Sequence, residues 1–296
     1  MDWGPLAQDI IKAYGSMSPQ LQAAARFVLD RPSDVALLSM REQARQAGVQ
    51  PATMTRLAKQ LGLDGYEQVR ERYAAAIRSG KIGFAGRVGD QVASQKLRGD
   101  KAIAAEMLEG AGRSLAALGT GQQLERIVDL AEHLNAARRI YCLGLRASHA
   151  VTWHFHYILS LIGERARLLD GPAGTGADAL RHATAKDVVL TVSIAPYTRQ
   201  TIDLATYAAG RGIPILAITD SAVAPLASIA KCSVVVSTDS PSFFHSMTPA
   251  FLVVEILAAL VAGREGAAAL RSLQRSDRHF AALDIHLQPR NEPVPT

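Results

Sequence analysis

Between residues 18 and 78 the apolar positions recur at helical spacing. In "SPQLQAAARFVLDRP", Leu21, Ala24, Ala25, Val28 and Leu29 share one face, Ser18 offers an N-cap, Pro19 suits the first helical position and Pro32 stops the run. A second helix is predicted from about Ser39 to Ala47, ended by Gly48, whose freedom at positive φ fits a helix C-terminus. Pro51 opens a third helix to about Leu61. Gly62 and Gly65 break the pattern, and "YEQVRERYAAAIR" is a further helix. Residues 79–98 are glycine-rich and weakly periodic, which predicts a linker, and residues 100–118 and 121–136 return to helical spacing.

At Arg139 the period changes. Short apolar runs ("IYCLG", "ARLL", "DVVLTVS", "PILAIT", "CSVVVST") alternate with helical stretches ("SHAVTWHFHYILSLIG", "RQTIDLATYAAGRG", "APLASIA"). Such alternation with short turns predicts a parallel sheet covered by helices. "DVVLTVS" is apolar at nearly every position, as a strand buried on both faces must be. A last apolar helix from Thr248 to Ala262 precedes a charged tail. The fold class expected is an N-terminal all-α domain followed by a C-terminal α/β domain. The boundaries read as 1–78 for the helical domain, 79–122 for a linker and connecting helix, 123–265 for the α/β domain and 266–296 for a helical tail. There is no internal repeat.

The 296-residue length fits roughly two domains, and with 48% hydrophobic residues each can bury a core. The net charge of +5 is a modest excess lying mainly in the first 122 residues, compatible with nucleic acid without requiring it. Two cysteines, Cys142 and Cys232, make neither a disulfide framework nor a zinc site and read as buried thiols. "MDWGPLAQDI" lacks the basic and apolar order of a signal peptide. "PAFLVVEILAALVAG" falls short of the ~18 apolar residues of a membrane span and is interrupted by Glu255. The expectation is a soluble, cytoplasmic protein with no membrane partner.

The stretch "LLSMREQARQAGVQPATMTRLAKQLG" fits a helix, a tight turn at Gly48 and a second helix. Ala44 and Ala47 are small at the helix crossing, Val49 plugs the turn, and Met54, Leu57 and Leu61 face inward. Gln50, Ala52, Thr53, Thr55, Arg56 and Lys59 are left at the start and outer face of the second helix. Short hydroxyl and amide groups near a helix N-terminus, with cations behind them, suit base edges and phosphates in a major groove. By spacing alone, a helical hairpin with a solvated polar face fits equally well. The pattern also resembles RpiR-type bacterial transcription regulators, on Gly48, Val49, Ala52, Thr53, Arg56, Lys59, Leu61, Gly62, Gly65 and Tyr66 of "AGVQPATMTRLAKQLGLDGY". The resemblance implies a helix-turn-helix that binds double-stranded operator DNA through Gln50, Thr53, Thr55, Arg56 and Lys59. Gln50 departs from the serine usual at that N-cap.

In the α/β part, parallel strands present their carboxyl ends to ligands. Three of those ends are rich in hydroxyls and lead into helices: "LGLRASHAV" with Gly144 and Ser148, "TVSIAPYTRQT" with Ser193, Tyr197, Thr198 and Thr201, and "AITDSAVAPLA" with Thr219, Asp220 and Ser221. Such turns suit an anion, and taken singly each also fits ordinary helix capping. Together, from about Arg139 to Ala262, they resemble the sugar isomerase (SIS) domain that follows the helix-turn-helix in RpiR-type regulators. The resemblance implies a sugar-phosphate or sugar-acid effector held by Gly144, Arg146, Ser148, Ser193, Tyr197, Thr198 and Thr219. Two departures stand out. Arg146 replaces the second glycine of the first turn, and Ala195-Pro196-Tyr197 replaces a serine-glycine step in the second.

His149, His154 and His156 share one helix without a metal-ligand spacing, so neither metal nor cofactor is expected. Glu255 reads as a buried, hydrogen-bonded carboxylate at a subunit contact rather than a catalytic base. His245 and Ser246 read either as pocket residues of this or a neighbouring subunit or as loop caps. The combined reading is a non-enzymatic transcription regulator, a homodimer or homotetramer through its SIS domain. An SIS-domain sugar-phosphate isomerase is the alternative.

Overall fold

The computed structural model describes residues 5–78 and 84–287. The chain forms two compact units. The first comprises Met1–Thr120, Asp220–Ser228 and Val235–Pro249, and the second Gly121–Thr219, Ile229–Val234 and Ala250–Thr296.

The first unit holds α1 (Ala7–Tyr14), α2 (Pro19–Asp30), α3 (Pro32–Leu37), α4 (Met40–Gln46), α5 (Pro51–Gln60), α6 (Tyr66–Arg78), α7 (Phe84–Arg98) and α8 (Asp100–Leu118). Helix α5 packs against α2, α4 and α6, and α3 against α6. Ile10, Val28, Met54, Leu57, Val69 and Tyr73 are fully buried. Pro32 does more than stop α2, since it also opens α3. Helices α4 and α5 end alike. Gly48 (φ 69°) and Gly62 (φ 76°) take the left-handed region. The N–H groups of Gly48 and Val49 return to Arg45 and Ala44, and those of Gly62 and Leu63 return to Lys59 and Ala58. Both are Schellman closures, which satisfy the last carbonyls and aim the chain into the next helix.

A buried polar network locks this arrangement. Gln43, with no exposed surface, donates from Nε2 to the carbonyls of Val35 (3.0 Å) and Leu38 (2.8 Å) and accepts at Oε1 from the Tyr66 hydroxyl (2.7 Å). Burial pushes the Tyr66 phenol well above its usual range, so it remains a donor. One side chain thus ties α4, the α3–α4 turn and α6 together.

Residues 84–98 form helix α7, where an irregular linker was expected. Gly86 and Gly89 each cost about 1 kcal/mol in a helix interior, and packing against α8 offsets that cost. "APLASIA", expected as a helix, makes only a short 3-10 turn at Leu226–Ser228. Pro225 lacks an N–H, and strand β5 (Cys232–Val235) begins too soon for a helix to propagate.

The second unit opens with α9 (Gly121–Ala136) and continues β1 (Ile140–Leu143), α10 (Ala147–Ile162), β2 (Ala166–Leu168), β3 (Val188–Ser193), α11 (Arg199–Gly210) and β4 (Ile215–Thr219). It ends with α12 (Thr248–Glu265) and α13 (Ala267–Ala282). The strands form one sheet in the order β2-β1-β3-β4-β5. The paired registers are parallel, with Leu143 opposite Thr191 and Ser193 opposite Thr219. Every residue of β3 is buried, as its unbroken apolar run required. Cys142 is buried and Cys232 half-buried, both free thiols.

At the amino edge of the sheet, Asp187 enters β3 with its side chain fully buried. Its carboxylate accepts from Arg138 Nε (2.9 Å) and Nη2 (2.7 Å), the Thr184 N–H (2.8 Å) and the Thr184 hydroxyl (3.1 Å). Burial raises its pKa, but these donors outweigh that effect and hold it below the usual carboxylate value.

Two outcomes follow. Gln43→Leu strands two carbonyls and the Tyr66 hydroxyl and should destabilise the first unit by about 2–3 kcal/mol. Denaturant unfolding checks this, and an unchanged midpoint refutes the network. A carboxyl with a depressed native pKa stabilises above its unfolded value, about 3.9, and loses that contribution as pH falls through the native value. Wild type should therefore lose stability below about pH 4 more steeply than Asp187→Asn, as read from melting temperature against pH.

Candidate functional sites

In the first unit, the start of α5 is the chemically active end. Gln50 occupies its N-cap without a side-chain cap bond, so the helix leaves N–H groups unsatisfied by its own cap. Gln50, Arg56 and Lys59 are exposed and Thr55 is half-buried, its hydroxyl 3.7 Å from Met40 Sδ. Thr53 does not face outward as expected. It is 2% exposed, turned toward the core side beside Met54, and its Oγ1 accepts from Arg56 Nη2 at 3.1 Å. Its role is to hold the Arg56 guanidinium. A cavity of about 440 Å³ opens here, lined among others by Gln20, Arg45, Gln50, Thr53 and Arg56. Two guanidiniums and two amides around an uncapped helix start suit a phosphodiester.

In the second unit, β1 and β3 lie side by side, but their connections leave in opposite directions, β1 through α10 to β2 and β3 through α11 to β4. This reversal opens a crevice at the carboxyl edge, where parallel sheets take ligands. Gly144, Arg146 and Ser148 stand at the end of β1. Ser193, Tyr197 and Thr198 stand at the end of β3. Gly144 is required by space: a Cβ there would lie 2.8 Å from the Ser148 carbonyl oxygen and 2.8 Å from Thr152 Cγ2. Ser148 and Ser193 are buried, Tyr197 and Thr198 half-buried and Arg146 exposed. Thr219 is buried, and its hydroxyl donates 2.8 Å to the Ser193 carbonyl, so it braces the second loop. The "APY" departure contains a cis Ala195–Pro196 bond. Arg146 takes φ 56° and ψ −128°, a region that favours glycine.

Of the helix α10 histidines, His149 Nε2 lies 2.8 Å from Asp170 Oδ2 and His154 Nε2 lies 3.1 Å from Glu255 Oε1. Burial is the main cause lowering the His156 pKa. Glu255 is not buried as expected, since its side chain is 51% exposed. No cluster of metal-binding side chains occurs among the described residues. Sequence reasoning missed Gln43, Thr152 and Asp170. Each acts through a contact distant in sequence or by filling space, and neither leaves a local pattern.

Residues 133–260 match the family model of the SIS domain. The RpiR transcription factor of Sphaerobacter thermophilus, solved as its sugar isomerase domain, is 29% identical. It covers 60% of this chain and 98% of its own, with a TM-score of 0.56. The HTH-type transcriptional regulator HexR of Pseudomonas aeruginosa is 23% identical over 87% of this chain and 88% of its own length. The chain is of the RpiR type, a helix-turn-helix unit with an SIS domain. NanR of Vibrio vulnificus, solved with ManNAc-6P, shares the fold over 94% of this chain and 99% of its own, at 22% identity and a TM-score of 0.56. Among the described residues no helix is long and apolar enough to cross a membrane.

The crowding at Gly144 carries a test. Gly144→Ala forces the α10 turn to shift and should destabilise the SIS domain by about 1–3 kcal/mol. Thermal unfolding reads it, and an unchanged melting temperature would show the turn to be slack.

Proposed function

We propose that the chain is a DNA-binding transcription regulator, not an enzyme. Its SIS domain senses a small anionic metabolite, a sugar phosphate first and a sugar acid second. The observation that carries this reading is the helix-turn-helix geometry, with Gln50, Arg56 and Lys59 exposed on a helix whose turns close through Gly48 and Gly62. The regulator relatives favour the same reading over a sugar-phosphate isomerase. The NanR complex supports a phosphorylated sugar as the effector class.

Gln50 and Arg56 are assigned to base edges and phosphates, Lys59 to the flanking backbone, and Thr55 to a grazing contact at the groove wall. The effector sits between the Gly144–Ser148 turn and the Ser193–Thr198 loop. A half-site reader requires a second copy to span successive major grooves. In the SIS domain, one side of α12 is buried through Val253, Val254, Leu257 and Val261, while Phe251, Leu252, Ile256 and Leu260 remain half-exposed. Trp153 and Tyr157 stack on the exposed side of α10. These apolar surfaces suit a dimer contact.

In a mobility-shift assay on the DNA upstream of its own coding sequence, Arg56→Ala should weaken binding by about 1–3 kcal/mol. Lys59→Ala should weaken all sequences alike and flatten the salt dependence. Wild-type affinity and salt slope in both folded variants would overturn the assignment. Sedimentation of the full chain at micromolar concentration should give a dimer or larger, and a monomer would contradict the assembly.

A further inference from the structure

The effector crevice is built with more positive charge than one phosphate requires. Helices α10 and α11 both begin at the carboxyl edge of adjacent strands, with β1 and β3 in register. Neither start is capped by a side chain, and neither first turn contains an acid. Each carries an arginine instead: Arg146 at the N-cap of α10 and Arg199 at the first residue of α11. A cation at a helix N-terminus opposes the helix dipole, and arginine is a poor N-cap. Among the described residues neither side chain makes an ion pair or hydrogen bond, and both are exposed. Arg146 also holds its backbone at φ 56°, which costs about 1–3 kcal/mol for a residue with a side chain.

Nearby negative charge does not balance this. Asp170, past the end of β2, is engaged by His149, and Asp203 lies beyond the first turn of α11. A third observation points to an absent group. Thr201, 1% exposed in the first turn of α11 on its sheet-facing side with Ala205 and Ala208, has a hydroxyl with no hydrogen-bond partner among the described residues. Buried hydroxyls are ordinarily satisfied, so one left open beside an uncapped helix start calls for an acceptor.

We propose that the effector carries two separate anionic groups, one held at each helix start, with Arg146 and Arg199 as the residues that select for the second. The chemical class is a phosphorylated sugar acid or a sugar bisphosphate rather than a neutral sugar monophosphate. This rests on the crevice being the effector site. The right-handed crossover rule puts α10 and α11 on opposite faces of the sheet, so their two starts approach the crevice from either side. A ligand lying across the crevice therefore meets one positive helix end and one guanidinium at each of its ends. A monophosphate satisfies one and leaves the other desolvated and unpaired.

The test uses the full chain and calorimetry at constant ionic strength with three probes: glucose 6-phosphate, 6-phosphogluconate and fructose 1,6-bisphosphate. At least one doubly anionic probe should bind about 10–100-fold more tightly than glucose 6-phosphate, the range of one added charge-assisted contact. Arg146→Gly suits the backbone and removes only the guanidinium. It and Arg199→Gln should each abolish most of that preference while changing glucose 6-phosphate binding little. Equal binding of all three probes, or a preference that survives in both variants, overturns the two-anion inference. In either case glucose 6-phosphate binding weakened by Ser193→Ala leaves the crevice assignment standing. No binding of any probe removes the crevice assignment and the inference together.

Discussion

The second unit depends on two neighbouring strands, Ile140–Leu143 and Val188–Ser193, whose chain connections depart in opposite directions. Parallel pairing brings their carboxyl ends together, and the reversal keeps any helix from covering the gap between them. The amino edge of the same strands is closed by the buried Asp187 carboxylate and Arg138. One edge is thus fixed by an ion pair and the other left for chemistry. At the open edge, Gly144 lets the backbone turn against Thr152, and Thr219 braces the Ser193 carbonyl. The loops are therefore held by scaffold contacts rather than by each other, a condition for binding a small ligand without a large ordering cost.

The first unit solves a different problem, which is to hold one short helix at a fixed angle with few residues. Two Schellman closures do so at Gly48 and Gly62, and the Gln43 amide joins three elements in the core. The same closure recurs in the second unit at Gly212 (φ 74°), where Ile213 returns to Ala208 after α11. With the backbone set, the outer face of α5 needs only to carry cations and amides. Thr53 is spent inside, orienting Arg56.

Much of this was legible in the sequence. The five strands, the long helices and the glycine turns follow from apolar period and from residues with special backbone freedom. Gln50 reads as an imperfect cap, and it makes no side-chain cap bond. Arg146 reads as an arginine in a glycine position, and its backbone is at positive φ. What escaped depended on partners far along the chain. Thr53 looked outward because its neighbours Ala52 and Arg56 do, whereas the helix phase places it beside Met54. Glu255 looked buried because the run around it is apolar, yet it sits on the open side of α12 against His154. Helix α7 defied its glycines because packing on α8 supplies what propensity does not.

A regulator must couple its two units, and coupling is reciprocal: a ligand that changes DNA affinity is itself bound with affinity changed by the same factor. The most direct measurement is fluorescence anisotropy of labelled upstream DNA with increasing effector, paired with calorimetry of the effector with and without that DNA. The predicted result is DNA affinity shifted by about 5–150-fold, with an equal shift in effector affinity. Specific DNA binding that no anionic sugar derivative alters, or effector binding indifferent to DNA, would contradict a ligand-responsive regulator.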